Sequence, residues 1–328
     1  MKKKRHCWLY ILIIYLCGCN TVPDVQPLYP VKSFENILLP SVWSIQEYNG
    51  NLYLNNYEND QILIYDSSLK LLHTVGKSGP GPGEFQGAGS LFVHNDSVYV
   101  YNSGGMRINV YNTSGEYERV ITLPPVQLDW TKFVVTNDKI YVPSALRSDS
   151  DILMLDLKGE LIQDVERDQG EFEYHYYRLL LSYKDQIIAL NKSAPIVERF
   201  SETGVLLEEF DLRKINELEG LWNLFESNLG SREVRKGPVY TKTIVGDAYI
   251  EDSFLYILCA GWPGRDQYTY MIKLSIKGEK MKLSHVFKIQ GEEPPMSLFS
   301  SFAVEDDRLL AFEDLSGTIF EFDLSQME

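Results

Sequence analysis

The chain has 328 residues and carries 46 Asp and Glu against 31 Lys and Arg, a formal charge of −15. So acidic a balance argues against non-specific binding to nucleic acid or to anionic membrane surfaces. The four cysteines, Cys7, Cys17, Cys19 and Cys259, offer no disulfide framework for a chain of this length, so an apolar core must hold the fold.

Residues 1–18 read as an export signal. Lys2, Lys3, Lys4 and Arg5 form a positive start, and Trp8–Leu16 is an apolar run of nine residues, too short to span a bilayer as a helix. The run ends in Leu16-Cys17-Gly18-Cys19, which resembles the lipobox of bacterial lipoproteins. That resemblance implies cleavage before Cys19, lipid on the Cys19 thiol, and an envelope location, the outer membrane first, with the membrane as a partner through the anchor. The remaining 27 cations then face 46 acids, a balance of −19, and Cys259 is the thiol left. The residues after Cys19 hold no acidic run, which favours the periplasmic face over the surface. Residues 19–30 contain Pro23, Pro27 and Pro30 without apolar periodicity and read as an extended tether.

From Val31 onward the pattern is short strands with alternating apolar residues, broken by Asn-Gly, Asn-Asp and Asp-Asp pairs that suit tight turns. The strands recur in units of two hairpins. Asp66, Asn112, Asp156 and Ser201 hold equivalent places after the third strand, 46, 44 and 45 residues apart; Ser275 follows 74 later and Asp323 48 after that. Four strands per period of about 45 residues reads as a propeller blade. The expected fold is all-β, a six-bladed β-propeller over 31–328, with a β-sandwich or two small sheets as the competing architecture. The last unit stops at its third strand, and Val31–Leu39 is a spare strand able to complete it. The long gap marks an insertion over 211–240. There Ile215, Leu218, Leu221, Trp222, Phe225 and Leu229 fall at helical spacing before Gly230, predicting an amphipathic helix that caps the propeller.

The stretch Gly76-Lys77-Ser78-Gly79-Pro80-Gly81-Pro82-Gly83-Glu84-Phe85, with Arg107 opening a third strand and Gly115 before a fourth, resembles the six-bladed propeller lipoproteins common in Bacteroidetes, distant relatives of NHL-type and TolB-type propellers. The resemblance is sharp over about 76–120. It fades elsewhere: Tyr177-Arg178 lacks the Gly-Pro-Gly-Glu-Phe run, and Pro195 stands where the third-strand Arg would be in blade four. It implies fold and location, not an activity.

In such a ring, loops from one blade's outer strand to the next inner strand share a face with the loops joining second and third strands, and ligands dock on such convergent loops. That face collects aromatic and cationic residues: Lys77, Glu84, Phe85, Arg107, Trp130, Arg147, Tyr177, Arg178, Trp262 and Arg265 are the candidate ligand residues, with Lys132 nearby. Aromatic planes beside guanidinium forks suit a sugar ring or a carboxylate. The inner strands are expected to open with Ser41, Ser90, Thr131/Lys132, Arg178 and Thr243, none a carboxylate, and His73, His94 and His285 fall in strands. No metal, no cofactor and no catalytic motif is read, and enzymatic activity stays open. The expectation is a binding module for a glycan, peptide or protein partner, with a glycan-acting hydrolase or lyase as the alternative.

Overall fold

A computed structural model describes residues 25–35, 39, 41–126, 128, 131–144, 152–165, 178–192, 195–220, 222–223, 245–260, 269–290 and 299–325. Residues 1–18, read from sequence as an export signal, and Cys19 lie outside them.

Six sheets, each built on four antiparallel strands, follow one another along the chain. Blade one shows the common plan: an inner strand Ile45–Tyr48, then Asn51–Asn56, Gln61–Asp66 and an outer strand Leu71–Val75. The other inner strands are Ala88–His94, Val134–Val135, Arg178–Tyr183, Val245–Glu251 and Phe299–Glu305. Each inner strand packs beside the next, and that of blade six returns to that of blade one, so the sheets close a ring. The fold is a six-bladed β-propeller.

Local sequence explains each blade. Two-residue turns join first and second strands, and Asn49 (φ 52°) with Gly50 (φ 73°), or Asn95 (φ 47°) with Asp96 (φ 57°), supply the left-handed pair such a turn needs. The middle strands lie between neighbouring blades, so both faces are covered and they read as near-continuous apolar runs, as in Gln61–Asp66. Outer strands have one open side, and in Leu71–Val75 only Val75 is buried.

The N-terminal residues complete two blades. Lys32–Phe34 pairs antiparallel with Thr318–Asp323, Lys32 opposite Glu321 and Phe34 opposite Ile319, so the spare strand closes blade six as expected. Val25–Leu28, read from sequence as the end of a tether, is instead a fifth strand on blade five, parallel to Lys282–Ile289. The insertion also departs from expectation. It opens with two 3₁₀ turns, Leu212–Lys214 and Asn216–Leu218, because Ile215 between them is extended (φ −90°, ψ 99°) and breaks the α-helical ladder. Residues 219–220 and 222–223 are helical. Leu212, Ile215, Leu218 and Trp222 are buried in the core shared by blades four and five, so this part caps the ring's flank. Leu221, Phe225, Leu229 and Gly230 lie outside the described residues.

Candidate functional site

The face bearing the two-residue turns is here the lower face, and the face bearing the longer loops the upper one. On the upper face the Gly-Pro-Gly-Glu-Phe loop folds back on itself between blades one and two. Glu84 Oε2 accepts from the Gly81 amide at 2.9 Å, and Lys77 Nζ sits 3.0 Å from Glu84 Oε1. The Gly81 amide, with Lys77 adding to it, holds the Glu84 carboxyl below its ordinary range. Arg107 Nη2 reaches the Pro80, Gly81 and Glu84 carbonyls at 3.4–3.5 Å. The Asn102 and Asn109 side-chain amides both donate to the Glu84 carbonyl at 3.0 Å, and the Tyr111 hydroxyl donates to Gly83 O at 2.9 Å. Burial pushes the Tyr111 phenol up to about 12. Asp60 of blade one accepts from the Gly87 and Ala88 amides at 2.8 and 3.0 Å.

Phe85 does not face solvent. It is fully buried in the core between blades one and two, with its ring 5.8 Å from that of Tyr111. Of the ten candidates, Lys77, Glu84, Phe85 and Arg107 therefore converge, but on one another: they brace a clamp between two blades. Arg178 is also fully buried, its Nη1 2.5 Å from Glu198 Oε2 within blade four. Trp130, Arg147, Tyr177, Trp262 and Arg265 lie outside the described residues, so the upper face is described only in part.

A second feature emerges on the axis. Counting five residues back from each two-residue turn gives Ser44, Ser90, Lys132, Leu179, Asp247 and Ser301, one per blade in ring order. All six are buried. Strand pairing shifts register beside three of them, Ser90, Asp247 and Ser301, and such bulges re-aim side chains.

The ring is held by polar contacts across the axis. Lys132 Nζ lies 2.7 Å from Asp247 Oδ1 and donates to the Ala248 carbonyl at 2.8 Å, reaching from blade three past blade four to blade five. Asp247 also accepts from its neighbour Ala248 N at 2.8 Å and from Phe302 N of blade six at 3.2 Å. Ser301 Oγ donates to Val42 O at 3.3 Å. Lys192 belongs to the same neighbourhood: burial pushes its ammonium down to about 8, Asp247 opposing the shift and Lys132 adding to it.

Below the ring an axial cavity of about 270 Å³ runs between five inner strands, from Ser44 and Lys132 to Tyr48 and His94 near the lower turns. Its walls mix apolar and polar surface, with Leu91, Phe133 and Leu180 among the apolar residues and Gln46, His94, Lys132 and Ser182 among the polar ones. Polar groups along it are mostly engaged. Gln46 exchanges two hydrogen bonds with Val93, at 2.8 and 3.1 Å, and His94 Nε2 is 3.2 Å from Asn137 Oδ1. Among the described residues no group of three or more His, Cys, Asp or Glu is placed to hold a metal ion.

Sequence reasoning named Lys132 but missed Ser44 and Asp247. The missed signal was a carboxylate inside an apolar inner strand, Val245-Gly246-Asp247-Ala248-Tyr249-Ile250.

Comparison with known proteins agrees with this geometry at the level of fold. A family model described as "DUF5128: 6-bladed beta-propeller" matches residues 30–147. An exported protein from Bacteroides fragilis superposes with a TM-score of 0.57 at 13% identity, over 89% of this chain and 84% of that one. A DUF4221 family member from Bacteroides vulgatus gives 0.59 at 12%, over 92% and 96%. Streptogramin B lyase gives 0.51 at 12%, over 89% and 96%. At these identities the likeness is one of fold. No curated protein matches the chain.

Proposed function

We propose that this propeller is a lipid-anchored envelope protein, fixed through Cys19, that works as a binding module and holds a glycan, peptide or protein partner at its axis. The observation that carries the reading is the axial cavity of about 270 Å³ walled by five blades. Ligand sites are concave and preformed, and this cavity offers both apolar walls and polar groups on a scaffold closed into a ring. The export signal, the lipobox-like tetrad and a charge that disfavours nucleic acid support the location.

Two measurements test the reading. Metabolic labelling with a fatty acid should mark the wild-type protein and fail with Cys19→Ala. Purified protein presented with polysaccharide, lactone and peptide panels should retain a ligand without turning it over. Sustained turnover of a polysaccharide would replace the binding reading with the hydrolase or lyase one.

A further inference from the structure

The course of the N-terminal strand limits where an anchor can hold the ring. Val25–Leu28 runs parallel to Lys282–Ile289 on the outer edge of blade five, with Val25 opposite Val286. Lys282–Ile289 leaves a turn at residues 276–281 that lies on the lower face, where the Ile276 amide donates to Ser253 O of the two-residue turn at 2.9 Å. Val25 is therefore the lower end of the added strand. Lys282 stands four residues below Val286, about 13 Å along a strand. Cys19 precedes Val25 by six residues, which span at most about 20 Å. A lipid on Cys19 would thus hold the membrane beside blade five, within reach of its lower outer turn.

That turn reverses the sign of the chain. From Ser275 to Lys282 it carries Lys277, Lys280 and Lys282 against Glu279, a balance of +2, and all four are exposed. The turns joining third and fourth strands in blades one to four balance at 0, −1, −1 and −1. Charge is screened within about 8 Å at physiological salt, so this turn and not the acidic whole sets what a surface beside it meets. Apolar residues adjoin it. Leu206 and Leu207 on the outer strand of blade four are 45% and 51% exposed, and Glu208 next to them accepts from the Met281 amide at 2.6 Å, tying that strand to the lysine turn. Leu207 and Lys277 line one groove of about 260 Å³ between the two blades. Exposed apolar pairs also occur on blade one, Leu71 and Leu72, and on blade three, Leu161 and Ile162, but without the positive turn. Lysines beside exposed leucines are the composition of a surface that rests on a bilayer, cations at anionic headgroups and apolar side chains at the acyl boundary.

We propose that the lower outer corner of blades four and five docks on an anionic membrane surface, with Lys277, Lys280 and Lys282 at the headgroups and Leu206 and Leu207 beside them. This rests on the reading of Cys19 as a lipid anchor and adds which part of the ring meets the membrane that the anchor holds.

The test uses the full chain, produced with its lipid and reconstituted into vesicles of phosphatidylethanolamine with either phosphatidylglycerol or phosphatidylcholine. A thiol-reactive spin label is placed at Leu207→Cys, at Glu58→Cys on the upper face of blade one, or at Ser114→Cys on the lower turn of blade two, all exposed positions. Cys259 is buried and does not compete. On phosphatidylglycerol vesicles the label at position 207 should be shielded from a water-soluble nickel chelate, and those at 58 and 114 should stay open to it. Combining Lys277→Gln, Lys280→Gln and Lys282→Gln should lower the ratio of docked to free protein about a hundred-fold, about five-fold for each lysine near an anionic surface. These side chains are exposed, so the melting temperature should match wild type. A label at 207 no more shielded than those at 58 and 114 overturns the inference, as does shielding that neither the lysine variant nor phosphatidylcholine reduces; the anchor reading survives both results. Wild type without an added cysteine should take no label. If it does take label at Cys19, that thiol carries no lipid, and the anchor reading falls together with this inference.

Discussion

Substituting Phe85 separates a loop that binds from a loop that braces. A ligand-facing aromatic could be truncated with little effect on stability, but Phe85 is fully buried between two blades. A buried aromatic removes about 150–250 Å² from water, about 4–6 kcal/mol at about 25 cal/mol per Å². Measured Phe→Ala changes in cores run about 3–5 kcal/mol, so Phe85→Ala should cost about 4 kcal/mol. Gly76 provides a second handle. Its φ is +78°, and a Cβ there would overlap the Phe85 ring. Gly76→Ala should therefore cost about 1–2 kcal/mol for the left-handed backbone, plus about 1–3 kcal/mol for displacing the ring. With Phe85 already truncated the second cost disappears. Urea unfolding of wild type, both single variants and the double variant should give a coupling of about 1–3 kcal/mol, with the slope m unchanged. A Phe85→Ala cost under about 1 kcal/mol, or additivity within about 0.5 kcal/mol, would refute the clamp.

Three further outcomes follow from particular contacts. Glu198→Gln removes the carboxylate that fully buried Arg178 meets within blade four and should cost up to about 3–5 kcal/mol in urea unfolding, whereas replacing both residues with apolar ones should cost less. Glu47 has its carboxyl pushed up from 4.5 by burial and by the Glu305 and Asp306 charges. A raised carboxyl makes the folded state hold its proton longer, so its stabilising share is present below 4.5 and is lost as pH rises through the folded value. Glu47→Gln, which keeps an acceptor for the Gly50 amide, should accordingly gain on wild type as pH climbs from 4.5 towards neutrality, read as the difference in melting temperature across pH. Removing residues 1–35 should lower the urea midpoint and produce self-association on size exclusion, because it bares the strands Lys282–Ile289 and Thr318–Asp323.

The ring itself was legible because its punctuation is local. Turn pairs such as Asn49–Gly50 recur at blade spacing, and the missing outer strand of the last unit matched the spare segment ahead of the first. Val25–Leu28 was not legible because Pro27 sits inside it. Proline cannot donate to a ladder, so it reads against a strand, but an edge strand tolerates it with that position facing outward. Phe85 misled for a related reason: its place in a glycine-rich loop says nothing about where the ring points. The axial ring was missed through alignment. Placing the start of the blade-five inner strand at Thr243 put Asp247 out of step, while counting back from the turns brings it level with Lys132 and Ser44. Turns have fixed geometry and strand starts do not, so the turn is the better ruler.

The Lys132–Asp247 pair raises the question of whether the throat is polar for stability or for binding, and one double variant answers it. Replacing a buried ion pair with apolar residues is often neutral or stabilising, by about 1–4 kcal/mol. Against that, Lys132→Met with Asp247→Leu takes side-chain partners from the Phe302 amide, the Ala248 amide and the Ala248 carbonyl, for about 1–3 kcal/mol each where no other partner replaces them. The loss exceeds the gain, so the double variant should melt below wild type. Its cavity also loses an ammonium from the wall, and affinity for a partner held at the axis should fall about five-fold or more. Unchanged melting with lost binding means the charges are kept for the ligand. A stability loss above about 3 kcal/mol would mean instead that the pair ties blades three and five across the axis, and the throat would then be polar because the ring needs it closed.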